Sequence, residues 1–138
     1  MNTHANRSAL ARAIECWNAG RLDDYLAIYD PAIVLHGYPG VDHGLDSVRR
    51  FYVGFLGAFP DARLLLHDVL AVDDKVVCRF QCIGTHRGPF MGVPATGKPV
   101  DFTGITVLRF AGGKCIERWS HADFLKLLQQ IGALPAPA

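Results

Sequence analysis

Apolar positions recur at two different periods along this chain, and the change between them divides it near Pro60. Before that point the spacing is helical. Leu10, Ala13, Ile14 and Trp17 fall at i, i+3, i+4 and i+7, and Gly20 is a natural stop. Asp23 and Asp24 open a short second helix, with Leu22, Tyr25, Leu26 and Tyr29 on its inner side, and Asp30-Pro31 ends it. Ile33 to His36 reads as a short buried strand. Gly37 to Gly44 is loop, broken by Gly37, Pro39, Gly40 and Gly44. Asp46 or Ser47 is suited to cap a third helix. Its stripe is Val48, Phe51, Tyr52, Phe55, Leu56 and Phe59.

Beyond Pro60 the period drops to two. Residues 62–72, 75–86, 99–110 and 115–122 read as strands. Asp73-Asp74 and Ala111-Gly112-Gly113-Lys114 supply tight turns, and Pro89 to Lys98 is a long Gly/Pro-rich hairpin loop. Residues 123–131 close as a helix with Gly132 as its cap, followed by a Pro/Ala tail. Helices first and antiparallel strands last predict an α+β fold: a cone-shaped, curved antiparallel sheet wrapped around the N-terminal helices, with an internal pocket. The length of 138 residues suits one domain over 1–138, with a flexible tail at 134–138.

Composition narrows the classes. Half of the residues are hydrophobic and a fifth charged, which predicts a soluble globular chain. The formal net charge is +1 and the Lys and Arg residues are scattered, so neither nucleic acid nor an acidic membrane surface is an expected partner. No apolar run is long enough to cross a bilayer, and no hydrophobic signal core follows the N-terminus, so a cytoplasmic location is expected. The four cysteines form no C-x-x-C pair. Cys78 and Cys82 share a strand face but stand about 13 Å apart at strand rise, too far to bridge. Buried, reduced thiols are expected.

Candidate chemistry centres on Arg118-Trp119-Ser120-His121-Ala122-Asp123. Trp119, His121 and Asp123 alternate, so in an extended strand they share a face. If that face points inward, it sets an acid/base pair beside an aromatic wall; if outward, it is a solvated edge. Asp123 also suits the N-cap of the last helix, and a capping carboxylate tends to stay ionised, as a base must. His36, at the end of the first strand, is either a pocket residue or a satisfied core histidine. His86 sits at the mouth of the long hairpin, where turn structure alone would account for its neighbours. Trp17, Tyr25, Tyr29, Phe51, Tyr52, Phe55 and Trp119 are core or pocket wall. A buried phenol or indole among them wants a polar partner. No paired histidine spacing suggests a metal, no G-x-S-x-G elbow a serine nucleophile, and no glycine-rich phosphate loop a nucleotide.

Several segments together resemble the SnoaL-like polyketide cyclase family, of the nuclear-transport-factor-2-like and ketosteroid-isomerase-like superfamily. They are Ala58-Phe59-Pro60-Asp61, Gly84-Thr85-His86-Arg87-Gly88-Pro89-Phe90-Met91-Gly92, Pro94-Ala95-Thr96-Gly97-Lys98, Gly112-Gly113-Lys114-Cys115-Ile116-Glu117, and Trp119 with Asp123. Their order and spacing, from the first helix to Gly132, carry the resemblance. It implies a cone-shaped barrel with an interior pocket, often paired through the sheet, and ring closure by an intramolecular aldol step without metal or organic cofactor. It also implies that Asp123 is the acid/base residue. A strand histidine of the polyketide cyclases has no counterpart, since Val107, Leu108 and Arg109 occupy that region.

The reading is a cofactor-independent cyclase or isomerase acting on a hydrophobic, enolisable carbonyl compound. Asp123 takes the proton, and His121, His36 or Arg109 stabilises the enolate. Trp17, Tyr25, Phe51, Tyr52, Phe55, His86, Arg109 and Trp119 contact substrate. Two other readings compete: a non-catalytic module for a hydrophobic ligand, and an epoxide-type hydrolase built on Asp101, Arg109 and Asp123. Apolar residues on both parities of strands 75–86 and 99–110 predict a homodimer or higher oligomer through the outer sheet face.

Overall fold

A computed structural model describes residues 2–135. Of the expected tail, residues 136–138 lie outside the described residues. The elements run α1 (Thr3–Asn18), α2 (Leu22–Leu26), β1 (Tyr29–His36), α3 (Leu45–Ala58), β2 (Arg63–Val72), β3 (Lys75–Thr85), β4 (Pro99–Ala111), β5 (Lys114–Ala122) and α4 (Phe124–Gln130). The five strands form one curved, unclosed sheet in the order β1-β5-β4-β3-β2. β1 lies parallel to β5, and the other neighbours are antiparallel. The α+β architecture agrees with the reading of the sequence. β1 begins earlier than expected, because Asp30-Pro31 is part of the strand rather than a break before it.

One turn and one bulge set the central register. Gly112 and Gly113 both have positive φ (57° and 81°), the backbone that a tight hairpin between β4 and β5 requires. Two pairs beyond the turn the ladder slips. Phe110 pairs with Cys115, but Arg109 pairs with Glu117 and Leu108 with Arg118, so Ile116 is the extra residue of a β-bulge.

α1 is fastened to the sheet by side chains. Trp17 Nε1 donates to the Ala62 carbonyl (3.0 Å), and Asn18 exchanges two 2.8 Å hydrogen bonds with the backbone of Leu64, as a neighbouring strand would. Asp46 and Ser47 do not cap α3; its cap position is Gly44, with no side-chain hydrogen bond. The helix is held instead by its apolar stripe, with Val48 and Phe55 buried. Phe59, Leu26, Ile33, Leu108, Leu127 and Ile131 are among the side chains fully enclosed between helices and sheet, each contributing about 1.5–3 kcal/mol from burial. Gly104 on β4 lies under a ring: a Cβ there would stand 2.5 Å from Phe80 Cζ on β3. Cys78, Cys82 and Cys115 are buried free thiols, and Cys16 is half-buried. No helix among the described residues is long and apolar enough to cross a membrane.

Candidate active site

The concave face of the sheet and the first three helices enclose an apolar cavity of about 70 Å³. Leu10, Ile14, Trp17, Tyr25, Phe51, Tyr52 and Phe55 line it from the helical side. Cys78, Phe80, Cys82, Phe102, Leu108, Arg118, Ser120 and Ala122 line it from the sheet, and Phe124 from the last helix. Its size is about half that of an engineered ~150 Å³ apolar cavity that takes one benzene. A ring can therefore enter only if lining side chains swing aside. Phe51, Tyr52 and Phe124, each partly exposed, are walls that can do so.

The sequence placed the wrong parity of β5 in this cavity. Arg118, Ser120 and Ala122 point inward, whereas Glu117, Trp119 and His121 lie on the outer face. The bulge at Ile116 is the reason. Cys115 is buried opposite Phe110, and an unbroken strand would have carried its phase to 117, 119 and 121. One extra residue exchanges the faces. Asp123 is exposed and caps α4, its Oδ1 accepting from Lys126 N at 3.0 Å. His121 is exposed opposite Ile105. His36 is also outside, stacked on Trp119 with ring centroids 5.2 Å apart. Its Nε2 donates to Glu117 at 2.8 Å, and Arg109 donates to the same carboxylate at 2.9 and 3.2 Å. The proposed hydrolase set fares no better, since Asp101, Arg109 and Asp123 are all absent from the cavity wall.

His86 is not a wall residue either. It is fully buried at the base of the β3–β4 loop. Its Nδ1 accepts from the Thr96 N–H at 3.2 Å, which puts the ring proton on Nε2; that atom is buried without a partner among the described residues. The expected contacts Trp17, Tyr25, Phe51, Tyr52 and Phe55 do line the cavity; His86, Arg109 and Trp119 do not.

What the sequence reading missed is the polar centre. Arg118 Nη1 donates to the hydroxyls of Tyr25 (3.0 Å) and Tyr29, and Nη2 donates to Thr106 Oγ1 (3.2 Å). The guanidinium also lies over the rings of Tyr29 and Tyr38, 6.0 and 5.7 Å from their centroids. Tyr25 and Tyr29 share a 2.7 Å hydrogen bond, Tyr38 and Tyr52 one of 2.9 Å, and Thr106 and Ser120 one of 3.1 Å. Arg118 Nε is buried with no partner among the described residues. The signal was present in the sequence: four tyrosines between residues 25 and 52 needed polar partners, and Arg118 serves Tyr25 and Tyr29 while Tyr38 and Tyr52 serve each other.

The electrostatics follow from this packing. Burial pushes the pKa values of Tyr25, Tyr29 and Tyr38 well up, so the phenols remain neutral donors. Burial alone would favour loss of the Arg118 proton, but Tyr29, Tyr38, Tyr52 and Tyr25 outweigh it and the pKa rises. Burial also pushes the Cys78 thiol up and, with Asp101 and Asp61, the Cys82 thiol up to about 12. Neither is a thiolate nucleophile at neutral pH. Among the described residues lining the cavity there is no carboxylate and no imidazole. The site is a cation and a set of hydroxyls at the wall of an apolar cavity, arranged to stabilise negative charge.

No curated protein matches the sequence. Solved structures do. AclR of Streptomyces galilaeus, for which a hydroxylase role is suggested, is 30% identical, with 96% of this chain and 99% of that chain covered at a TM-score of 0.86. A candidate SnoaL-like polyketide cyclase from Jannaschia sp. CCS1 is 27% identical, with 95% and 94% covered at 0.82. IdmH of Streptomyces antibioticus, a candidate polyketide cyclase, is 28% identical, with 94% and 99% covered at 0.80. The profile described as SnoaL-like polyketide cyclase matches residues 7–131, nearly the whole of the cone and its cavity, and the chain belongs to that family.

Proposed function

We propose that the protein performs cofactor-independent proton transfer or intramolecular aldol cyclisation on a hydrophobic carbonyl compound, with Arg118 and its hydroxyl partners stabilising the enolate. The observation that carries this reading is the Arg118 guanidinium on the wall of an aromatic cavity, with no carboxylate partner among the described residues. A unit charge 4 Å from a developing enolate is worth about 4 kcal/mol at an effective dielectric of about 20. That is about three powers of ten in the ionisation equilibrium. For a β-dicarbonyl compound, already acidic between its two carbonyls, such help lets water serve as proton acceptor. This matters because Asp123, His121 and His36 stand outside the cavity. Arg118 and the Tyr25–Tyr29 pair hold the enolate oxygen, and the apolar walls seat the ring.

The test is hydrogen–deuterium exchange at the central carbon of small 1,3-diketones, followed by NMR. Exchange accelerated by the protein and lost in Arg118→Met supports the reading; no acceleration with any diketone that binds argues against it. A second reading is favoured by the same lack of a wall carboxylate or imidazole. In it, the protein holds a hydrophobic oxygenated ligand without turning it over. Binding without exchange selects it.

We also infer that a second copy covers the outer face of the sheet. Val77, Ile83, Ile105 and Val107 lie there beside Trp119, and Ile105 is 51% exposed. Light scattering is expected to give a dimer or larger species at micromolar concentration and a monomer for Ile105→Asp; a monomeric parent protein rejects the inference.

A further inference from the structure

The donors and acceptors around Arg118 carry one step more, which rests on reading this cavity as a ligand site. A guanidinium brings five N–H donors and no acceptor. Each hydroxyl around it brings a hydrogen of its own. Tyr25 and Tyr29 both accept from Nη1, and their mutual 2.7 Å bond uses only one of their two phenolic hydrogens. The Tyr38–Tyr52 and Thr106–Ser120 pairs likewise consume one hydrogen of two. Arg118 Nε–H is buried and unpartnered among the described residues. The cluster therefore has surplus donors, a positive charge, and no member that only accepts. A ligand hydroxyl would add another donor, whereas an oxyanion accepts several hydrogen bonds and neutralises the charge. The rest of the wall is apolar and aromatic, and the space is narrow.

We propose that this cavity takes its ligand as an oxyanion, the conjugate base of an acidic enol or phenol on a flat apolar ring, and that Arg118 lowers the pH at which the bound ligand ionises. The cluster thereby selects for acidity as well as shape. A neutral ring of the same outline fills the cavity but leaves the surplus donors unmet.

Three probes of similar size test this on the intact protein: 4-nitrophenol, nitrobenzene and benzoate. 4-Nitrophenol is expected to bind as the coloured phenolate, with its pH of half-ionisation lowered by about one to three pH units, as for an acid beside an arginine. Nitrobenzene should bind at least tenfold more weakly. Arg118→Leu should abolish both differences, and Arg118→Lys, which keeps the charge but loses the fork, should retain part of them. If the Leu variant fails to fold by circular dichroism, the Lys variant and the parent titration decide. Bound 4-nitrophenol with a neutral spectrum and unshifted ionisation overturns the inference while leaving the cavity a binding site. Tight benzoate binding without a 4-nitrophenol shift assigns the cation to a carboxylate ligand and overturns the enol or phenol class. No binding of any probe to the folded protein also overturns it; diketone exchange then judges the enolate-stabilising role separately.

Discussion

Arg109 and Arg118 stand on neighbouring strands and face opposite sides of one sheet. Arg109 lies outside, half-buried, with Glu117 accepting two of its hydrogen bonds and His36 donating to the same carboxylate. Arg118 lies inside, with hydroxyls and aromatic faces but no carboxylate. The outer cluster is electrostatically complete and reached by water, and such groups contribute little to stability. The inner one holds a charge among hydroxyls and aromatic faces, an arrangement found at sites that act on ligands.

Replacing each arginine in turn is the most direct way to break this contrast. Arg118→Met should reduce diketone exchange by about 10²–10³, the usual loss when an oxyanion-hole donor is removed. Its thermal midpoint should fall, since the Tyr25, Tyr29 and Thr106 hydroxyls lose a charged donor. Arg109→Met should change exchange less than twofold. Equal losses from both substitutions would end the distinction between the faces.

A smaller effect separates capping from chemistry at Asp123. Asp123→Ala should cost about 1 kcal/mol in urea unfolding, as for a lost N-cap, with exchange unaltered, and Asp123→Asn should recover most of the stability. A large drop in exchange with Asn would return Asp123 to the mechanism. The smallest effect belongs to Glu117. The hydrogen bond from His36, then those from Arg109, hold its carboxyl below the usual 4.5. A depressed folded-state pKa contributes stability that is present above the unfolded value and lost as pH falls through the folded one. Glu117→Gln should therefore flatten the stability profile below about pH 4.5, and 1 M salt should weaken the parent's dependence there.

The sheet, its hairpins and the helical face of the cavity were legible in the sequence because they rest on period and turn chemistry. Val100, Phe102, Leu108 and Phe110 share one phase of β4, and the Gly112-Gly113 turn marks where β5 begins. The inward face of β5 was not legible. Trp119, His121 and Asp123 alternate, which leaves inward and outward equally open, and the resemblance tipped the reading inward. A bulge at an isoleucine leaves no compositional mark, yet it put Arg118 where Trp119 was expected. The pairing of β1 with β5 was hidden for a related reason, since a parallel neighbour far away in sequence has no turn to announce it.

Gly104 gives the cavity a separate means of change. The Phe80 ring occupies the space its side chain would fill, and Phe80 is itself a wall of the cavity. A single methyl group at 104 would meet that ring at 2.5 Å and the His121 carbonyl of β5 at 2.9 Å, so both strands beside β4 would have to give. The chamber's shape thus depends on a residue with no side chain, placed where β3, β4 and β5 meet.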